Sequence, residues 1–147
     1  MTIVRAAARD LPRIMAIERA CFGRDAWDAD IFRVYLSAWP ELFLIAKRGT
    51  RTVGYSLAAL RGSQAAIESI AVDPLQLRRG IGSDLLRRTL AILKRNGASS
   101  VGLMVEIRNE AAIALYKRHG FRRSRTVRNY YGRARHGWRM SLGPQSW

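Results

Sequence analysis

Two glycines one residue apart, Gly80 and Gly82, follow Arg78-Arg79 and open an apolar-periodic run that carries Leu85, Leu86, Leu90 and Leu93. Before them, residues 65–72 read as a strand that stops at Asp73-Pro74, because proline lacks the donor needed to continue a central ladder. Strand, basic loop, glycines and helix start together make an anion site. Glycine allows close backbone approach and positive φ, and the first N–H groups of a helix have no partner inside it. Those groups and the helix dipole bind phosphate, and Arg78 and Arg79 add charge-assisted donors. Two other phosphate motifs fail on inspection. A dinucleotide fingerprint wants a third glycine where Leu85 stands. A Walker loop wants Lys then Ser/Thr after its last glycine, where Ser83-Asp84 stand.

The elements that must position this loop alternate along the chain. Residues 2–7 read as a strand, and Asp10 as an N-cap for a helix bearing Leu11, Ile14, Met15, Ile17 and Glu18. A second helix begins at Asp25 or Asp28. Residues 41–48 and 52–60 form a hairpin about Gly49-Thr50. After the strand at 65–72 comes a helix over 79–96 closed by Gly97, a strand over 100–106, a helix over 109–119 stopped by Gly120, and strands near 121–128 and 138–142. Hairpins first and helix-linked strands later predict a mixed α/β sheet with helices on both faces.

The chain has 147 residues, the length of one domain, so residues 1–147 are expected to form a single unit. Cys21 is the only cysteine and lies far from His119 and His136 in sequence, which excludes an internal disulfide and a Cys/His zinc cluster. No secretory core and no membrane-length apolar run is visible, so the expectation is a cytoplasmic protein without a membrane partner. Lys and Arg number 26 against 11 Asp and Glu, a net charge of +15. After Glu110 there is no acidic residue, while Lys117, Arg118, Arg122, Arg123, Arg125, Arg128, Arg133, Arg135 and Arg139 follow. That run is either a solvated face or a field for an anionic partner: phosphate, nucleic acid or an acidic peptide.

The glycine loop resembles the acetyl-coenzyme-A loop of the GNAT N-acetyltransferase superfamily, whose pattern is Gln/Arg-x-x-Gly-x-Gly/Ala after a strand ending in hydrophobic-Ala-Val and Asp-Pro. Here stand Ile70-Ala71-Val72-Asp73-Pro74 and Leu77-Arg78-Arg79-Gly80-Ile81-Gly82. Leu77 occupies the Gln/Arg place, with Gln76 one residue early, which predicts weakened coenzyme binding. A second family pattern matches Leu103, Val105, Asn109, Ala112, Leu115, Tyr116, Gly120 and Phe121 at the required spacing. Within the superfamily, Ile17-Glu18-Arg19-Ala20-Cys21-Phe22 and Arg128-Asn129-Tyr130-Tyr131 resemble the RimI-type enzymes that acetylate ribosomal-protein and other protein N-termini.

The resemblance implies a mostly antiparallel sheet splayed in the middle, with acetyl-CoA as co-substrate and no metal. It implies that the coenzyme lies against Ile70, Ala71 and Val72 and on the loop from Leu77 through Arg78, Arg79, Gly80, Ile81 and Gly82 to Ser83. It places Asn109 near the thioester and Tyr116 beside its sulfur. A phenol can protonate a departing thiolate, and the Val72 N–H suits a developing oxyanion. RimI-type enzymes carry a Glu where this chain has Met104. Glu106, two residues along and on the same face, is one replacement base; Glu68, expected to point with Ile70 and Val72, is the other. Tyr130 and Tyr131 either line a peptide groove or pack on a strand.

The activity implied is acetyl transfer to a primary amine, foremost a protein N-terminal α-amine on an acidic or ribosome-associated protein. Small-molecule amine acetylation and a weakly catalytic basic module that binds RNA or ribosomes are the alternatives; nucleic acid is not required, and a monomer or homodimer is expected. Cys21 is expected in the core, His119 as a helix-end cation and His136 as a loop polar group. The four tryptophans carry no functional signal.

Overall fold

The structure is a computed structural model and describes residues 1–144 and 147. Seven strands form one sheet: β1 (Thr2–Arg5), β2 (Phe43–Arg48), β3 (Arg51–Arg61), β4 (Gln64–Val72), β5 (Ser100–Glu106), β6 (Arg122–Gly132) and β7 (Arg135–Leu142). Their spatial order is β1-β2-β3-β4-β5-β7-β6. Every neighbouring pair is antiparallel except β4 with β5. Four helices flank the sheet: α1 (Leu11–Phe22), α2 (Ala29–Ala38), α3 (Ile81–Arg95) and α4 (Glu110–Arg118).

Strand alternation divides the core between the two faces. Phe43, Ile45, Tyr55, Leu57 and Ala71 meet Ile14, Ile17 and Phe32 of α1 and α2. Leu103, Val105, Met140 and Leu142 meet Leu86, Leu90 and Leu93 of α3 and Ile113 and Tyr116 of α4. Each fully buried leucine of α3 contributes roughly 2 kcal/mol, enough to anchor the helix whose first turn forms the anion site.

Caps fix the helix starts. The Asp28 carboxylate accepts from the N–H groups of Asp30 and Ile31 at the head of α2. Asn109 does the same for α4 through the N–H of Ala112, at 3.2 Å. Asp10 differs from expectation: its backbone is already helical, and its carboxylate turns back to the Ala7 N–H at 2.8 Å, closing the short turn before α1. Strand β6 runs eleven residues, past the expected end, as an almost fully exposed edge bonded only to β7. Among the described residues, no helix is long and apolar enough to cross a membrane.

Candidate active site

β4 and β5 pair at only three positions, the last Ala66 with Gly102, and then diverge. Beyond that point Ile67–Val72 on one side and Leu103–Glu106 on the other have no strand between them. The N–H of Asp73 donates to the Val53 carbonyl at 2.8 Å. By antiparallel alternation, the main-chain groups of Val72 and Ile70 therefore face away from β3 and into the gap. The Cys21 thiol donates to the Val72 carbonyl at 3.3 Å, which leaves the Val72 N–H for a ligand. Cys21 is exposed at this rim and not in the core, because the divergence of the strands uncovers the end of α1. Partial burial, then the nearby Glu18 carboxylate, push its thiol pKa up.

The glycine loop closes one end of the gap. Gly80 is the residue before α3, at φ +75°, and has no side chain with which to cap the helix. The first main-chain bond across this turn runs from the Asp84 N–H to the Gly80 carbonyl, at 3.0 Å, so the N–H groups of Ile81, Gly82 and Ser83 are open. Arg78 also adopts positive φ, at 65°. Nothing lies within 4 Å of a Cβ added at Gly80, while one at Gly82 would meet Leu115 and Val72. An uncapped helix start with an open approach and two arginines fits a pyrophosphate. Asp73 holds the loop: it accepts from the Leu75 N–H at 3.0 Å and from Arg13 at 2.5 Å. Those bonds keep its carboxyl below the usual range, the Leu75 N–H being the larger cause. Leu77 is 58% exposed and offers the anion nothing.

At the centre of the gap lies a cavity of about 650 Å³. It brings together Glu68, Ile70, Met104, Glu106, Asn109, Tyr116, Tyr130 and Tyr131, all singled out from sequence; Ala71, Val72 and residues 77–83 are not in its lining. Tyr116 is 6% exposed and packs against Phe121, with ring centroids 5.9 Å apart. Among the described residues, no protein group hydrogen-bonds its hydroxyl, and burial, then Tyr131, push its pKa up, so it stays a proton donor.

Glu68 does not point with Ile70 and Val72. A β-bulge pairs Leu57 with Ser69 but Ala58 with Ile67, so Glu68 is the extra residue. It faces α2, where the Tyr35 hydroxyl donates to it at 2.8 Å; burial, then this bond, raise the Tyr35 pKa to about 12. Ile70 and Val72 pack toward α3. Glu106 is bound on both oxygens by Arg135, at 3.2 Å from Nε and 3.0 Å from Nη2. Arg135 also reaches Asp25, at 2.5 Å, clipping the loop after α1 to the β6–β7 hairpin and holding the Asp25 carboxyl below its usual range.

Sequence reading missed Glu18, Asp25, Trp27, Arg135 and Arg139, all of which line the cavity. Glu18 is 2% exposed and accepts from the Tyr55 hydroxyl, the Ser69 hydroxyl and the Trp27 N–H. Trp27 stacks on Tyr35 at 5.9 Å. The arginines of β6 lie outside the cavity, whose charged lining is four carboxylates and two arginines, so the positive charge is not its lining. His119 stands at the C-terminal cap of α4, the expected place. Its Nε2 lies 2.8 Å from the Ser83 hydroxyl, tying α4 to α3, and burial, then Arg87 and Arg118, hold its pKa below 6.5. His136 sits in β7, where Nδ1 accepts from the Asn129 N–H. Among the described residues, no three His, Cys, Asp or Glu groups cluster to hold a metal.

A splayed parallel pair with an uncapped helix start at one end and a phenol at its centre is the arrangement of a group-transfer enzyme. The chain belongs to the acetyltransferase (GNAT) family, whose pattern matches residues 11–121. It is 33% identical over 110 residues to the [ribosomal protein bS18]-alanine N-acetyltransferase of Escherichia coli, covering 67% of this chain and 74% of that one. It is 39% identical over 84 residues to mycothiol acetyltransferase of Clavibacter michiganensis, covering 56% of this chain but only 28% of that longer protein. Among solved structures, Ard1 from Thermoplasma volcanium superposes with a TM-score of 0.92 at 25% identity, over 97% of this chain and 96% of that one. The protein yncA of Salmonella typhimurium, solved with acetyl-CoA, shares the fold with a TM-score of 0.84 at 23% identity, over 98% and 94% of the two chains. The chain is therefore an acetyltransferase with the mixed, mostly antiparallel, open sheet of its family.

Proposed function

We propose that the protein transfers an acetyl group from acetyl-CoA to the α-amine of a protein or peptide N-terminus, in a cytoplasmic setting. The observation that carries this is the cavity between the diverging strands, which joins Tyr116 to Tyr130 and Tyr131 and to the carboxylates of Glu68 and Glu106. The relation to the ribosomal-protein alanine enzyme supports the acceptor class.

When bound, acetyl-CoA supplies the acyl carbon and a thiolate leaving group. The open N–H groups at the start of α3, with Arg78 and Arg79, hold its phosphates. The exposed main chain of Ile70 and Val72 pairs with its amides as a missing strand would, and Asn109 lines the cavity beside them. The Val72 N–H donates to the developing oxyanion. Tyr116 holds the proton that the sulfur takes as the C–S bond breaks. Glu68, acting through water, accepts the proton that nitrogen gives up as the N–C bond forms. Among the described residues its one hydrogen-bond donor is a neutral phenol, whereas Glu106 is occupied by a guanidinium. Tyr130 and Tyr131, edge to face at 4.9 Å, flank the incoming chain.

An α-amine also tolerates Met104 at the usual Glu place. At pH 7, freeing an amine of pKa near 7.8 costs about 1.1 kcal/mol, against about 4.6 for lysine near 10.4. The test is thiol release from acetyl-CoA with short peptides, each beside a copy whose N-terminus is blocked and which keeps a lysine. Turnover only with the free N-terminus is expected. Turnover with blocked peptides or small amines alone would overturn the reading.

A further inference from the structure

Six charged side chains line the cavity, and five have partners. Glu18 is held by Tyr55, Ser69 and Trp27, Glu68 by Tyr35, and Asp25 and Glu106 by Arg135. The sixth is Arg139, whose guanidinium has neither an ion pair nor a hydrogen bond among the described residues. It lies over Gly102, where an added Cβ would stand 2.9 Å from both Nη1 and Nη2. A glycine at the last β4–β5 pair thus makes the room it occupies.

Its place is specific. Arg139 is paired across the strands with Met104 on one side and Arg125 on the other. Directly opposed residues share a face, so Arg139 and Arg125 stand as two like charges side by side, an arrangement that costs stability unless an anion joins them. That face is opposite the one on which Trp138, Met140 and Leu142 pack with α4. It is the face that carries Met104, Tyr130 and Tyr131, the part of the cavity that the proposed function gives to the acceptor.

We propose that Arg139, with Arg125 beside it, is a carboxylate-binding subsite that selects acceptors with an acidic side chain next to the N-terminal residue. The reading rests on the proposed N-terminal acetylation and deepens it. A guanidinium binds a carboxylate bidentately and cannot lose its proton, so the selection is independent of pH above the acceptor carboxylate's own titration. Met104 belongs to the same device: a carboxylate at 104 would lie directly opposite Arg139 and occupy it from within.

Three peptides that differ only at the second residue, Asp, Asn or Lys, test this in the purified full chain. The expected kcat/KM is about tenfold higher for Asp than for Asn and lowest for Lys, with the difference mainly in KM and shrinking at high salt. Arg139→Gln is expected to bring the Asp-to-Asn ratio to about one, and Arg139→Glu to invert the Asp-to-Lys order. Met104→Glu, which leaves the arginine in place, is expected to lower the Asp-to-Asn ratio at least threefold. A thermal midpoint no lower than that of the parent in each variant shows that the fold is intact. Acetylation without charge preference, or a preference that survives Arg139→Glu, overturns the subsite and leaves the proposed function standing. Acetylation of no peptide at all overturns both.

Discussion

Arg135 holds both oxygens of Glu106 at 3.0–3.2 Å while Glu68, across the gap, receives among the described residues only the Tyr35 hydroxyl. The two carboxylates that sequence presents as equal candidates are therefore unequal. A base must release its lone pair to a proton, and one that neutralises a guanidinium is poorly disposed to do so. Glu68→Gln is expected to lower kcat about 100-fold. Glu106→Gln, by loosening the clip to Asp25, is expected mainly to raise the peptide KM. Steady-state kinetics on one N-terminal peptide separates the two.

Tyr116→Phe removes a hydroxyl that opens on the cavity and has no protein partner among the described residues, so the stability cost is expected to be under about 1 kcal/mol. The kcat is expected to fall by about 100-fold or more, since the departing sulfur loses its proton source. Urea denaturation and a thiol-release assay on the same preparation check the two halves. Because the phenol pKa is raised, no loss of rate from its ionisation is expected up to pH 10.

His119 gives the fold a pH dependence of known sign. Its native pKa lies below the ordinary 6.5, so the unfolded chain binds the extra proton first. Stability from the neutral ring is complete above about pH 6.5 and is lost as pH falls through the native value. Denaturation midpoints at about pH 7.5 and 5.5 are expected to differ, and His119→Asn to reduce the difference.

Glu18 is a buried carboxyl satisfied by donors from β3, β4 and the loop before α2. Glu18→Ala leaves the Trp27 N–H unpaired and the Tyr55–Ser69 hydroxyl pair without its acceptor, and is expected to cost about 3 kcal/mol. A urea titration measures it; a loss under 1 kcal/mol would show that water replaces the carboxylate.

Leu77 is an exposed leucine beside an anion site. Leu77→Arg adds a guanidinium within the loop and is expected to tighten acetyl-CoA binding about fivefold, near 1 kcal/mol. Calorimetry reads it, and the gain should shrink with salt.

What sequence reveals here is local chemistry; what it conceals is phase and distance. The glycine loop, the hairpin and the helix bearing Tyr116 are legible because glycine, proline and apolar period act within a few residues. Glu68 is misdirected because one bulge residue, invisible to any alternating pattern, moves it to the other face. Cys21 reads as core from its helical period, yet the strands that should cover it part company. The Arg135–Asp25 pair is separated by 110 residues, and no spacing rule reaches so far. Arg139 hides in a run of arginines and is distinguished only by the glycine beneath it.

The outer strand β6 carries Arg122, Arg123, Arg125 and Arg128 along an open edge. Two such borders brought together would set guanidinium against guanidinium, so the molecule guards its own free hydrogen-bonding margin against zippering into stacks of itself.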